Sequence, residues 1–252
     1  MKRLTLIAGV LVLFAIAGGP VASAAVAWPA DSAWIPLTHN GTNYWDVPND
    51  YSPAQVDIVG GIDPGGTNYT AGFWFNDGTN LMFRMRCDDF NVASHNYVWQ
   101  IMMETTGDSN LDFSLQADHK SDNRVEFHPV TGTTDFSQPV VNSVDIATLL
   151  WSGDLAVYHD HGLLAPSVFN NNADYFMEIA MPLTNFFTNV PLGTNLVHIV
   201  LATSADHNQL NKDRPDQLNF FSDPIFVPEP GTIALLAAGA AFGFVRRRRS
   251  RR

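Results

Sequence analysis

Leu81-Met82-Phe83-Arg84-Met85-Arg86-Cys87 alternates along its length, with Leu81, Phe83, Met85 and Cys87 on one side of an extended chain and Arg84 and Arg86 on the other. Side chains of a strand point to opposite faces with a period of two, so this run predicts a strand with one buried face. Tyr69 to Phe75 precedes it, joined through Asn76-Asp77-Gly78-Thr79-Asn80, whose Asp-Gly pair signals a hairpin. Tyr97 to Met103, Leu111 to Gln116, Arg124 to Phe127, Tyr175 to Met181, Leu196 to Thr203 and Phe220 to Val227 read as further strands. Gly, Pro, Asn and Asp interrupt the intervals between them. Helical spacing is confined to Val144–Trp151 and to a turn over Leu183–Phe187. Many short strands and little helix predict an all-β fold, an antiparallel, jelly-roll-like β-sandwich spanning about Trp28 to Phe226 as one domain. Cys87 is the single cysteine, so no disulfide can form within the chain, and its place on the apolar side of the strand reads as a small buried hydrophobe.

Two segments flanking this region are read as targeting signals. Lys2 and Arg3 precede an apolar run from Leu4 to Ala17, and small residues follow at Ala22-Ser23-Ala24 and Ala25-Val26-Ala27. This is the pattern of a secretory signal peptide over residues 1–27, with cleavage after Ala24 or Ala27. At the other end Pro228-Glu229-Pro230 leads into an uncharged apolar stretch and then Arg246, Arg247, Arg248, Arg249, Ser250, Arg251 and Arg252. Gly231 to Val245 is 15 residues, about 22 Å of helix against a hydrocarbon core of about 30 Å, so it predicts a short single transmembrane helix whose arginines stay in the cytoplasm. The two prolines stop that helix from extending backwards and leave an extended peptide.

The order of motif, apolar segment and arginine cluster over residues 227–252 resembles the PEP-CTERM sorting tail. That resemblance implies recognition by an exosortase-type processing enzyme, removal of the tail, and transfer from a transient inner-membrane anchor to the outer envelope or extracellular matrix. The competing readings of the same residues are a buried core helix with a solvated basic end and an ordinary membrane anchor.

Both segments distort the formal charge of −11. They hold eight of the 14 basic residues, whereas all 25 acidic residues lie from Asp31 to Glu229, so that stretch carries 6 positive against 25 negative charges, a balance of −19. Such a surface disfavours nucleic acid, whose phosphates require Lys and Arg, and favours solubility and divalent cations. Aromatic residues at 12% supply enough apolar surface for a packed core.

Candidate sites are scattered. Asp108, Asn110 and Asp112 have the i, i+2, i+4 spacing with which a tight loop points three oxygens at one hard cation such as Ca2+. Phe113 stands where an EF-hand has its glycine and His119 where it has its bidentate glutamate, so a polar hairpin loop with Asx turns is the leading reading and calcium the second. In a strand His159 and His161 would share one side and could chelate zinc given a third ligand; spacing supplies none, so the stretch reads first as a solvated loop, with zinc as the alternative. Glu104, Glu126 and Glu178 are the carboxylates weighed for glycoside hydrolysis, and no nucleophile elbow, H-E-x-x-H or phosphate-binding loop is present.

The run Phe83-Arg84-Met85-Arg86, the strand into the Gly107-Asp108 loop, and Glu178-Ile179-Ala180-Met181-Pro182-Leu183 together resemble family-nine carbohydrate-binding modules and related sandwiches. The resemblance implies that fold and makes Trp45, Trp74 and Trp151 candidates for stacking on sugar, with burial in the core as the competing reading. Three function classes follow. They are an envelope-sorted structural or matrix protein associated with exopolysaccharide, a carbohydrate-binding module, and a secreted hydrolase. The first leads, and it makes the chain the substrate of a sorting enzyme rather than a catalyst.

Overall fold

Along β7 (Asn80–Cys87), Leu81, Phe83, Met85 and Cys87 are each no more than 1% exposed. The alternation is that of a strand whose one side faces an apolar core. The computed structural model describes residues 25–50, 52–89, 96–120, 123–132, 145–146, 148–191, 196–210, 212–215 and 221–228. Within them β1 (Ile35–Pro36), β6 (Gly72–Asn76), β7, β14 (Tyr175–Pro182) and β13 (His159–Leu164) form one antiparallel sheet in that order. The second sheet runs β10 (Arg124–Thr131), β9 (Phe113–Asp118), β8 (Val98–Glu104), β15 (Leu196–Ser204) and β16 (Ile225–Phe226). The free side of β10 is paired by β11 (Asp145–Ile146) and β12 (Trp151–Asp154). Two small hairpins, β2 (Thr38–His39) with β3 (Thr42–Asn43) and β4 (Gly61–Ile62) with β5 (Asn68–Tyr69), complete the strands.

The inner rows of both sheets meet in one core. Phe83, Met85, Met177, Ile179 and Met181 come from the first sheet, and Trp99, Ile101, Leu115, Phe127, Ile199 and Leu201 from the second. Burying each large apolar side chain contributes about 1.5–3 kcal/mol, which makes register costly to slip. Gly72 permits this approach, because a Cβ there would meet Leu201 Cδ1 at 2.6 Å and Leu37 Cδ1 at 2.9 Å. Turn chemistry in the β6–β7 hairpin is as read from sequence: Asp77 Oδ1 accepts from the Thr79 and Asn80 N–H groups at 2.7 and 2.6 Å, and Gly78 takes φ +85°.

Arg84 and Arg86 project from the opposite side of β7 yet are only 3% and 1% exposed. The N-terminal segment covers that face: Val26 and Trp34 pack on Met82 and Ala180, and the Val26 N–H donates to the Val157 carbonyl at 3.0 Å. Beneath this cover Arg84 lies between the Trp34 and Phe176 rings, 4.5 and 4.4 Å from their centroids, and donates to Glu178 Oε1 through Nε at 2.7 Å and also through Nη2.

The helix over Leu183–Phe187 is present as α2 (Leu183–Asn189). The one expected over Val144–Trp151 is not. Asp145–Ile146 pairs with Val130–Thr131, Leu149 and Leu150 are exposed and non-helical, and Trp151 opens β12. The edge of β10 offers unpaired backbone groups, and satisfying them overrides a weak local preference. Among the described residues nearby, the one α-turn is α1 (Leu155–Tyr158), capped by Asp154, whose Oδ1 accepts from the Ala156 N–H at 2.9 Å. Among the described residues no helix is long and apolar enough to cross a membrane. The expected signal peptide up to residue 24 and the expected transmembrane helix with Arg246, Arg247, Arg248 and Arg249 lie outside the described residues.

Candidate functional site

The residues His159-Asp160-His161 form part of β13, the outermost strand of its sheet, rather than a solvated loop. His159 pairs across from Ile179 and His161 from Met177, so both imidazoles take the side that looks into the sandwich. The strand bulges directly afterwards, between His161 and Leu163, where Gly162 adopts φ +78°. From the facing sheet comes His119, one residue past β9, with its N–H donating to the Tyr97 carbonyl at 3.3 Å and its ring edge-on to Trp99 at 5.3 Å. The ring centroids are 4.8 Å (His119 to His159), 5.8 Å (His119 to His161) and 5.1 Å (His159 to His161) apart. The Nδ1 atoms of His159 and His161 are separated by 3.4 Å, and one ring nitrogen from each of the three lies within 4.8 Å of the others. His119 and His159 are buried and His161 is half-buried. His119 is the third imidazole that spacing could not supply, because it is 40 residues away and on the other sheet.

The Asp108 loop is closed by its own carboxylates. Glu104 Oε1 accepts from the Thr106 N–H at 2.8 Å and from the Gly107 and Asp108 N–H groups, while Asp112 Oδ2 accepts from Thr105 N–H and Oγ1 at 2.6 and 2.8 Å. The Asn110 N–H donates to Asp108 Oδ1 at 2.9 Å and holds that carboxyl below its ordinary value. These are the bonds of a polar loop with an Asx turn, and they turn Asp112 toward Thr105. Carboxylates do converge elsewhere: oxygens of Asp46, Asp50 and Asp213 lie within 4.8 Å of one another. Burial, followed by the charge of Asp50, pushes Asp213 well above its ordinary range.

The glutamates weighed for hydrolysis do not meet. Glu178 belongs to the first sheet and is paired with Arg84. Glu104 and Glu126 are on the second, two strands and four register positions apart, about 16 Å of backbone. Glu126 Oε2 is 3.1 Å from His128 Nε2.

Of the six tryptophans, Trp45 is the exposed one at 39%. It borders a groove of about 510 Å³ together with Asn43, Pro48, Ile62 and Asn68. Trp74 is half-buried against the core and lines a second groove of about 430 Å³ with Ile35, Phe226 and Pro228. Trp151 is half-buried and packs edge-on to Tyr158 at 5.0 Å. No two of the three form a described stacked pair. Cys87 is buried in the core, which pushes its thiol pKa up and leaves it the small hydrophobe expected from sequence.

The last strand runs straight into the sorting segment. Ile225–Phe226 pairs with Leu196–Val197, Val227 is fully buried, and Pro228 emerges beside Phe226 at the rim of the second groove; Glu229 and Pro230 lie outside the described residues. Residues 226–249 match the family model described as the PEP-CTERM protein-sorting motif. Comparison with curated proteins and with solved structures found no match.

Proposed function

We propose that this chain, an exported, exosortase-sorted protein by its PEP-CTERM motif, is a structural component of an exopolysaccharide-rich matrix, acted on by the sorting enzyme rather than catalysing a reaction itself. The observation that carries the reading is the junction at Val227. The motif begins at residue 226, inside the final strand, so no spacer separates the folded sandwich from its sorting signal. From Val227, held in the core, five residues lead to Ile233, a reach of at most about 20 Å. The sandwich would therefore rest on the outer membrane face while Pro228-Glu229-Pro230 is presented for processing. The balance of −19 keeps such a surface hydrated and attracts cations shared with acidic polysaccharide.

The other end bears on the signal peptide. Val26 is 8% exposed and bonded to Val157, so cleavage after Ala24 preserves a packed residue that cleavage after Ala27 would remove. Intact-mass measurement of the protein from its native envelope tests both ends. The expected species starts at Ala25 and lacks Ile233 to Arg252, and Glu229→Ala leaves a longer, inner-membrane-bound form. A native chain still carrying the arginines, in cells that possess the sorting enzyme, would refute the proposal.

A further inference from the structure

We infer that His119, His159 and His161 form a binding site for a zinc-class divalent metal, clipping the edge strand β13 to the opposite sheet. Imidazole nitrogen bonds zinc at about 2.0–2.1 Å, so two ligands of a tetrahedral site stand about 3.3–3.4 Å apart. The Nδ1 atoms of His159 and His161 are 3.4 Å apart. Every other separation in the set is within 4.8 Å, so small ring rotations complete the triangle.

The surroundings orient the first of these ligands. His159 Nε2 contacts the Met177 sulfur, a group that can only accept, so a ring proton suits Nε2, and Nδ1 is the nitrogen that faces His161. This is how a ring's second nitrogen sets which nitrogen ligates. Trp99 walls one side of His119 and excludes water there, whereas the half-buried His161 leaves an approach for the ion and for a fourth, solvent ligand. The bulge at Gly162 bends β13 directly after His161, a device found where a strand must aim side chains at a site.

Donor chemistry selects the ion. Three imidazoles with no carboxylate in the set suit zinc, copper or nickel and not calcium or magnesium. The site draws its ligands from both sheets, so a bound ion would also stabilise the folded state over the unfolded chain.

The test uses the full chain purified in detergent without a histidine tag, loaded with zinc and desalted. The expected result is about one zinc per chain, a rise in melting temperature with added zinc, and loss of both in His161→Gln and His119→Gln but not in His207→Ala, whose ring is exposed and paired with Asp206. Cobalt(II) in the wild-type chain provides a measurement independent of any variant's folding, and intense bands of a four-coordinate ion are expected. Equal zinc in wild type and His161→Gln, no zinc retained after desalting, or a weak six-coordinate cobalt spectrum would each overturn the assignment.

Discussion

Replacing Glu178 by Gln tests whether the covered face of β7 is built around a desolvated ion pair. Arg84 is 3% exposed and Glu178 1%, and two guanidinium nitrogens donate to one carboxylate oxygen. Burial raises the Glu178 pKa, opposed by the charge and the hydrogen bonds of Arg84. Removing one member of such a pair costs about 3–5 kcal/mol, because the other charge stays buried without compensation. Here the loss belongs at the lower end, about 3 kcal/mol, since Asp31 still accepts from Arg84 Nη1 at 2.9 Å. Asp31→Asn should cost under about 1 kcal/mol, because that carboxylate is 77% exposed and its pairing is screened. Arg84→Met with Glu178→Leu should recover most of the loss, as apolar replacement of a whole buried pair is often neutral. Urea unfolding of wild type, Arg84→Met, Glu178→Leu and the double variant gives the coupling energy directly. A loss under about 1 kcal/mol for Glu178→Gln, or a double variant as damaged as the two single ones summed, would show that the pair is not desolvated and that the N-terminal segment does not cover it.

Acid should strengthen one corner of the fold. Burial lifts the Asp174 carboxyl from 3.8 to about 6, against the opposing help of Ser167, Phe169 and Arg86. A raised acid penalises the folded state above its folded pKa and ceases to do so below its unfolded one, so its part of the stability grows as pH falls from about 7 to 4, by at most about 3 kcal/mol. Asp174→Asn should flatten that slope in denaturant titrations at stepped pH, and an unchanged slope would show that another group sets it. At the Trp45 groove, soluble polysaccharide should quench tryptophan emission in wild type and not in Trp45→Ala; equal quenching in both would remove the groove as a carbohydrate contact.

Period-two alternation in Leu81 to Cys87, the Asp-Gly hairpin and the Pro-Glu-Pro tail were all legible in the chain alone. Each is a local relation, decided by neighbours a few residues apart and by the physics of side-chain alternation, turn geometry or charge at a membrane. The failed helix at Val144–Trp151 marks the limit of that reading, since the partner that made Asp145–Ile146 a strand is the edge of β10. Arg84 and Arg86 were correctly assigned to the face opposite the core, yet the burial of Arg84 required Trp34, 50 residues upstream, to fold over it, and that of Arg86 required Tyr69, Phe176 and Ser167 to close around it. His159 and His161 announced a shared side by their spacing. Their meeting with His119 depended on two sheets packing face to face, a relation between strands distant in sequence that no local pattern encodes.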